Sequence, residues 1–120
     1  MYSATLLDHF EHPRNAGEVA EPDASAEISN PACGDILKLT LRVRGGNVEE
    51  ICFLAQGCVP AMACGSALTE LVKGRTVHEA AGVTKDDVVA AVGGLPQASG
   101  HASPLAVDAL RAALAQVRKR

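Results

Sequence analysis

Leu37-Lys38-Leu39-Thr40-Leu41-Arg42-Val43-Arg44 alternates apolar and polar residues without a break. In extended backbone successive side chains point to opposite faces, so this stretch makes a strand with one face buried and one wet. Gly45-Gly46-Asn47 follows and supplies the positive-φ residues of a hairpin turn. Val48–Gln56 is the return strand, with Ile51, Phe53 and Ala55 on one face and Glu50, Cys52, Leu54 and Gln56 on the other. Consecutive strands joined by a tight turn give an antiparallel sheet with one solvated face, and its apolar face needs a cover.

The cover lies mostly downstream. From Pro60 to Lys73 the pattern is helical, with Pro60 suited to the first turn and Gly74 to the stop. Thr76 caps a short helix through Ala81, and Thr84 another through Val92. After Gly93-Gly94-Leu95-Pro96, a Gly/Ser-rich loop at 97–103 leads to a last helix, with Ser103 expected as N-cap and Pro104 in its first turn. Upstream, Ser3 caps a short helix to Glu11 that carries Leu6, Leu7 and Phe10 on one face and stops at Pro13. Residues 14–24 read as loop and Ala24–Ser29 as a short strand. Strands first and helices afterwards indicate an α+β fold with helices on the apolar sheet face, and 120 residues suit a single domain.

Tyr2, Phe10 and Phe53 are the aromatic residues and there is no Trp, so the core is built of Leu, Val, Ile and Ala. A bound metal adds usefully to such a core. Net charge is −3, and the basic residues are scattered apart from Arg118-Lys119-Arg120, read as a solvated helix end. Without a basic stripe interleaved with aromatics, nucleic-acid binding is not expected. No stretch approaches the ~20 apolar residues that span a bilayer, and the N-terminus lacks a leader pattern. The expectation is a soluble cytoplasmic protein without a membrane partner, whose reduced thiols point to metal binding or catalysis before disulfides.

Three loops carry the candidate chemistry. Pro31-Ala32-Cys33-Gly34-Asp35 offers a thiol and a carboxylate, Gln56-Gly57-Cys58-Val59-Pro60 a second thiol, and Gly100-His101-Ala102-Ser103-Pro104 an imidazole. Cys58 lies beside a helix N-terminus, where unpaired N–H groups favour a thiolate. In extended backbone Cys33 and Asp35 face the same side, so the carboxylate joins or flanks the thiolate, or else makes a turn hydrogen bond. His101 precedes a helix, a position that disfavours imidazolium and leaves a neutral ring able to ligate. Together Cys33, Asp35, Cys58 and His101 read as one metal site assembled from three segments.

The remaining candidates read as structural. In one helix, Cys58 and Cys64 would be ~240° apart and ~9 Å along the axis, too far for one mononuclear site. Cys64 shares a stripe with Leu68 and Leu71 and reads as a core thiol, and Cys52 receives no role. His9, His12 and His78 are expected to be exposed.

Taken together, these segments resemble the U-type iron–sulfur cluster assembly scaffolds, the IscU/NifU/SufU family, nearly end to end. The likeness rests on Leu7-Asp8-His9-Phe10-Glu11-His12-Pro13-Arg14-Asn15-Ala16-Gly17, on Asn30-Pro31-Ala32-Cys33-Gly34-Asp35, and on Gly57-Cys58 followed by Leu68-Thr69-Glu70-Leu71-Val72-Lys73-Gly74. Leu95-Pro96, His101 and Leu105-Ala106-Val107-Asp108-Ala109-Leu110 extend it to the closing segment. The resemblance implies a three-stranded antiparallel sheet packed against helices, and a scaffold rather than an enzyme. It also implies a [2Fe-2S] cluster built with sulfur from a cysteine desulfurase and passed to apo acceptor proteins.

By the same likeness Cys33, Asp35, Cys58 and His101 keep the family's site identities. Its third cysteine, the usual first acceptor of persulfide sulfur, should follow the histidine, and here that residue is Ala102. The family's Leu-Pro-Pro-Val-Lys stretch is replaced by Leu95-Pro96-Gln97-Ala98-Ser99, which argues against a dedicated Hsp70-type chaperone partner. Three readings stay open. The first is a scaffold or carrier holding a labile [2Fe-2S] cluster or iron; the second is a zinc protein of the same family that relays sulfur. The third is a degenerate scaffold that acts by docking to the desulfurase. Whether Cys64 stands in for the cysteine replaced by Ala102 is left open with them.

Overall fold

The computed structural model describes residues 2–31 and 34–118, the last of these by its backbone alone. Lys119 and Arg120 of the basic tail lie outside the described residues, as do Ala32 and Cys33. The chain runs α1 (Ala4–Glu11), β1 (Ala24–Asn30), β2 (Asp35–Arg44), β3 (Asn47–Gln56), α2 (Val59–Val72), α3 (Val77–Ala81), α4 (Lys85–Ala91) and α5 (Ala102–Arg118). The strands form one antiparallel sheet in the order β1-β2-β3. The fold class is therefore the α+β arrangement with a three-stranded sheet that the sequence led to expect. Among the described residues, no helix is long and apolar enough to cross a membrane.

The β2–β3 hairpin closes on Gly45 and Gly46, with φ of 60° and 81°, values that favour glycine and suit a two-residue turn. Leu37, Leu39 and Leu41 of β2 and Ile51 and Phe53 of β3 are buried on the inner face. Each such side chain contributes roughly 1.5–3 kcal/mol when removed from water. Val48 is buried too, although it has the parity of outward-facing Glu50. The register explains it: Arg42 faces Glu50 while Val43 faces Val48, so Glu49 is an extra residue on β3. A bulge of this kind reverses the alternation beyond it and returns Val48 to the core.

The sheet's other face is less open than the alternation predicts. Thr40 is buried because the 14–23 segment crosses over it, and its hydroxyl accepts from the Val19 N–H at 2.9 Å. The same segment bonds the side of β3 away from β2, through Phe53 N–H to the Asn15 carbonyl and Gly17 N–H to the Phe53 carbonyl. Farther along β3, the Val48 N–H donates to the Arg75 carbonyl, and the Val48 carbonyl accepts from the Gly74 N–H. The 14–23 segment and the turn at Gly74–Arg75 thus supply polar partners to groups that strand pairing leaves over.

On the inner face α2 packs against β3, and α5 against β1 and β2. Small residues in α2, among them Ala61, Ala63, Ser66 and Ala67, are buried along it and let the helix lie close to its neighbours. Thr76 and Thr84 cap α3 and α4 with complete capping boxes, through Glu79 and Asp87. Two local expectations are corrected. In α1 Leu6 and His9 are the buried residues, while Leu7 is 37% exposed, because the helix meets α2 along its Leu6–His9 side. α5 begins at Ala102, and the His101 carbonyl already accepts from the Leu105 N–H, so Ser103 is a buried helical residue rather than the cap. Pro104 is tolerated there because N–H groups in a first helical turn have no intrahelical partner to lose.

Candidate metal centre

Asp35 opens β2 at the end of the sheet opposite the hairpin. Cys58 is the N-cap residue of α2, with extended backbone, and its side chain makes no capping bond. His101 ends the 3-10 connection into α5. These three segments meet at one point. Asp35 Oδ2 lies 3.2 Å from Cys58 Sγ and 2.9 Å from His101 Nε2, and Sγ and Nε2 are 3.6 Å apart. The second carboxylate oxygen, Oδ1, accepts the Cys58 N–H at 2.9 Å. Asp35 is buried while Cys58 and His101 are half-buried, so the cluster has an open side.

One ligand-type atom from each residue lies within 4.8 Å of the other two. An ionised carboxylate only accepts, so Oδ2 receives the thiol proton of Cys58 and the Nε2–H of His101. A cation entering here would take the place of protons that the groups now share with one another. Thiolate, imidazole and carboxylate together suit zinc or iron.

Of the four residues predicted from sequence, the structure brings Asp35, Cys58 and His101 together. Cys33 lies outside the described residues, although the Asn30 carbonyl accepts from the Gly34 N–H at 2.8 Å across that turn. Cys64 is fully buried; burial, with a further push from Cys58, raises its thiol to about 12. It is a core thiol rather than a nucleophile. Cys52 is half-buried opposite Thr40, and burial raises its thiol as well. Ala102, at the first position of α5, is 1% exposed and belongs to the core.

A second polar cluster escaped the sequence reading. His12 and His78 are exposed as expected, but His9 is 5% exposed, a correction with a clear cause. Its Nδ1 lies 2.8 Å from the Ser66 hydroxyl, which also accepts the Arg14 N–H at 2.9 Å. Thr69 bonds the Ser66 and Arg14 carbonyls and accepts from the Asn15 amide. The Ser66 proton is thus free for His9 Nδ1, which assigns the ring proton to Nε2, 3.6 Å from Glu70. Burial, aided by Arg14, holds the His9 pKa below its ordinary value and keeps the ring neutral. The legible signal was on α2, where Ser66 and Thr69 interrupt an otherwise apolar face at helical spacing.

The fold and the cluster together define a small α+β domain that carries a half-open thiol–carboxylate–imidazole group at the end of its sheet. Comparison with known proteins gives that class a family. Residues 1–120 match the NifU-like N terminal domain. The chain is 43% identical over 114 residues to the iron-sulfur cluster assembly scaffold protein IscU 1 of Archaeoglobus fulgidus, covering 95% of this chain and 74% of that protein. It is 37% identical over 123 residues to the iron-sulfur cluster assembly scaffold protein IscU of Buchnera aphidicola subsp. Acyrthosiphon pisum, covering 99% of this chain and 96% of that one. The crystal structure of a nitrogen-fixing NifU-like protein (N-terminal) from Brucella abortus superposes with a TM-score of 0.83 at 19% identity, over 98% of this chain and 94% of that one. This chain belongs to the NifU-like N-terminal domain family.

Proposed function

We propose that this chain is an iron–sulfur cluster scaffold or carrier, not an enzyme. It holds a labile [2Fe-2S] cluster, or iron, through Cys33, Asp35, Cys58 and His101 and passes it to apo acceptor proteins. One observation carries the reading: Asp35 Oδ2, Cys58 Sγ and His101 Nε2 converge from three distant segments with an open side. Mixed ligation of a [2Fe-2S] cluster by sulfur and nitrogen has chemical precedent, and one hard oxygen among softer ligands makes the cluster easier to give up. Sulfur comes from a cysteine desulfurase, in the reduced cytoplasm. Names borne by relatives at 37–43% identity support the scaffold role.

Anaerobic purification and reconstitution with iron and sulfide test the proposal. The expected result is iron and acid-labile sulfide in comparable amounts, with most of both lost in Cys33→Ser and in Cys58→Ser. Asp35→Ala should transfer its cluster to an apo-ferredoxin more slowly, because the exchangeable oxygen through which an acceptor displaces the cluster is gone, whatever its equilibrium affinity for metal. Zinc without sulfide would replace this reading by the zinc one, which the same four ligands suit. Neither metal nor sulfide would leave the docking role.

A further inference from the structure

β2 and β3 pair Ile36 with Gln56, so one step farther out Asp35 stands opposite Gly57. Both positions are in phase with the buried face, Asp35 with Leu37 and Gly57 with Phe53. Directly opposed residues in an antiparallel pair hold their Cβ atoms only ~4.5–5.5 Å apart. Asp35 uses that space differently, folding its carboxylate over the Gly57 backbone. A Cβ on Gly57 would lie 2.0 Å from Asp35 Oδ1 and 2.8 Å from its Cγ. The occupied volume is therefore the one through which Oδ1 reaches the Cys58 N–H.

We propose that Gly57 is a positioning residue for the metal centre: its missing side chain lets Asp35 fix Oδ1 on the Cys58 amide and present Oδ2 alone, as a one-oxygen ligand, beside Cys58 and His101. The inference rests on the metal-binding reading above and deepens it. Fixing one oxygen stops the carboxylate from turning to chelate with both, and it ties the aim of Asp35 to the backbone that places Cys58. Gly57 also has φ +129°, so any side chain there brings two separable penalties. Backbone strain and the 3.0 Å approach to the Asp35 Cα lower stability whatever the Asp35 side chain does, whereas displacement of the carboxylate lowers metal affinity and is removed once Asp35 is trimmed.

Gly57→Ala, Asp35→Ala and the double variant, titrated anaerobically with Co²⁺ and followed by thiolate-to-cobalt and d–d absorption, separate the two. Gly57→Ala, which displaces the ligand, and Asp35→Ala, which removes it, should weaken Co²⁺ binding alike, by at least the roughly 10- to 100-fold that losing a ligand-orienting group costs. The two should share one altered d–d spectrum, and the double variant should bind no more weakly than either. In apo protein, Asp35→Ala should restore part of the melting temperature lost in Gly57→Ala, a readout that holds even where Gly57→Ala is too unstable to titrate. Losses that multiply in the double variant, no recovery of melting temperature, or wild-type Co²⁺ affinity and spectrum in Gly57→Ala would each overturn the positioning role while the metal site stands. A wild-type chain that binds no Co²⁺ would overturn the metal site, and this role with it.

Discussion

His9 and His101 each sit in a polar cluster with hydroxyl, thiol or carboxylate neighbours, but the clusters are built differently. Around His9, Ser66 and Thr69 exchange hydrogen bonds with the Arg14 N–H, the Arg14 carbonyl and the Asn15 side chain, so backbone and side chain lock one another at the α1–α2 contact. Around His101 only one oxygen of Asp35 is tied to backbone, at the Cys58 N–H, while the other faces the Cys58 thiol and the His101 ring on a half-open side. A cluster tied to backbone amides resists insertion of anything else. Thiol, imidazole and carboxylate atoms that share protons with one another on an open side are able to exchange those protons for a metal. The first is a fastening and the second a receptacle.

Crossed substitutions break this contrast most sharply. Ser66→Ala leaves the Arg14 N–H and His9 Nδ1 without their partner, which should cost about 1–3 kcal/mol in urea unfolding while reconstituted metal per chain stays at the wild-type level. Cys58→Ser should do the reverse, emptying the site while apo stability stays within about 0.5 kcal/mol. Metal loss in Ser66→Ala would join the two regions into one functional unit.

The legibility of these regions in the sequence differs for physical reasons. The β2–β3 hairpin was readable because alternation and the Gly45-Gly46 turn are local signals. The inversion at Val48 was not, since one extra residue at Glu49 leaves composition unchanged and shows only in the partner strand's register. Asp35, Cys58 and His101 were identified from loop chemistry and resemblance, yet the Gly57–Asp35 contact needs three-dimensional distances. His9 was misplaced because an imidazole counts as polar in a periodicity reading, while Ser66, its partner, lies 57 residues away.

Of intermediate size is the effect of Ala102→Cys. The position is 1% exposed, so the added sulfur should cost about 1 kcal/mol, the low end of overpacking penalties. Beside His101 and near a helix N-terminus, the new thiol should raise persulfide accepted from a cysteine desulfurase and lengthen cluster lifetime on reconstitution. Cys64→Ala should leave sulfur uptake unchanged, because a thiol pushed to about 12 is hardly ionised at neutral pH. Uptake abolished by Cys64→Ala would show that the buried face of α2 opens to the site.

The smallest expected effect is a pH dependence confined to the His9 region. Burial and Arg14 lower the folded-state pKa of His9 below 6.5, with Glu70 and Asp8 opposing. The unfolded chain then binds more protons in that window, so the contribution is complete above about pH 6.5 and is lost as pH falls toward the depressed folded value. His9→Asn keeps an acceptor for the Ser66 proton but does not titrate. Urea melts across pH 5.5–7.5 should therefore show a shallower slope for His9→Asn than for wild type, and equal slopes would assign the acid sensitivity elsewhere.

The backbone bonds along the outer side of β3 have a consequence for how other proteins approach. The Asn15–Gly17 segment takes up both main-chain groups of Phe53, Gly74 and Arg75 do the same for Val48, and the Val77 N–H takes the Gly46 carbonyl. An uncovered strand margin invites a further strand from another chain, whether a partner's peptide or a second copy on the way to a fibril. Here those rungs are already occupied from within the same chain. A strand added along this side would first have to displace those bonds.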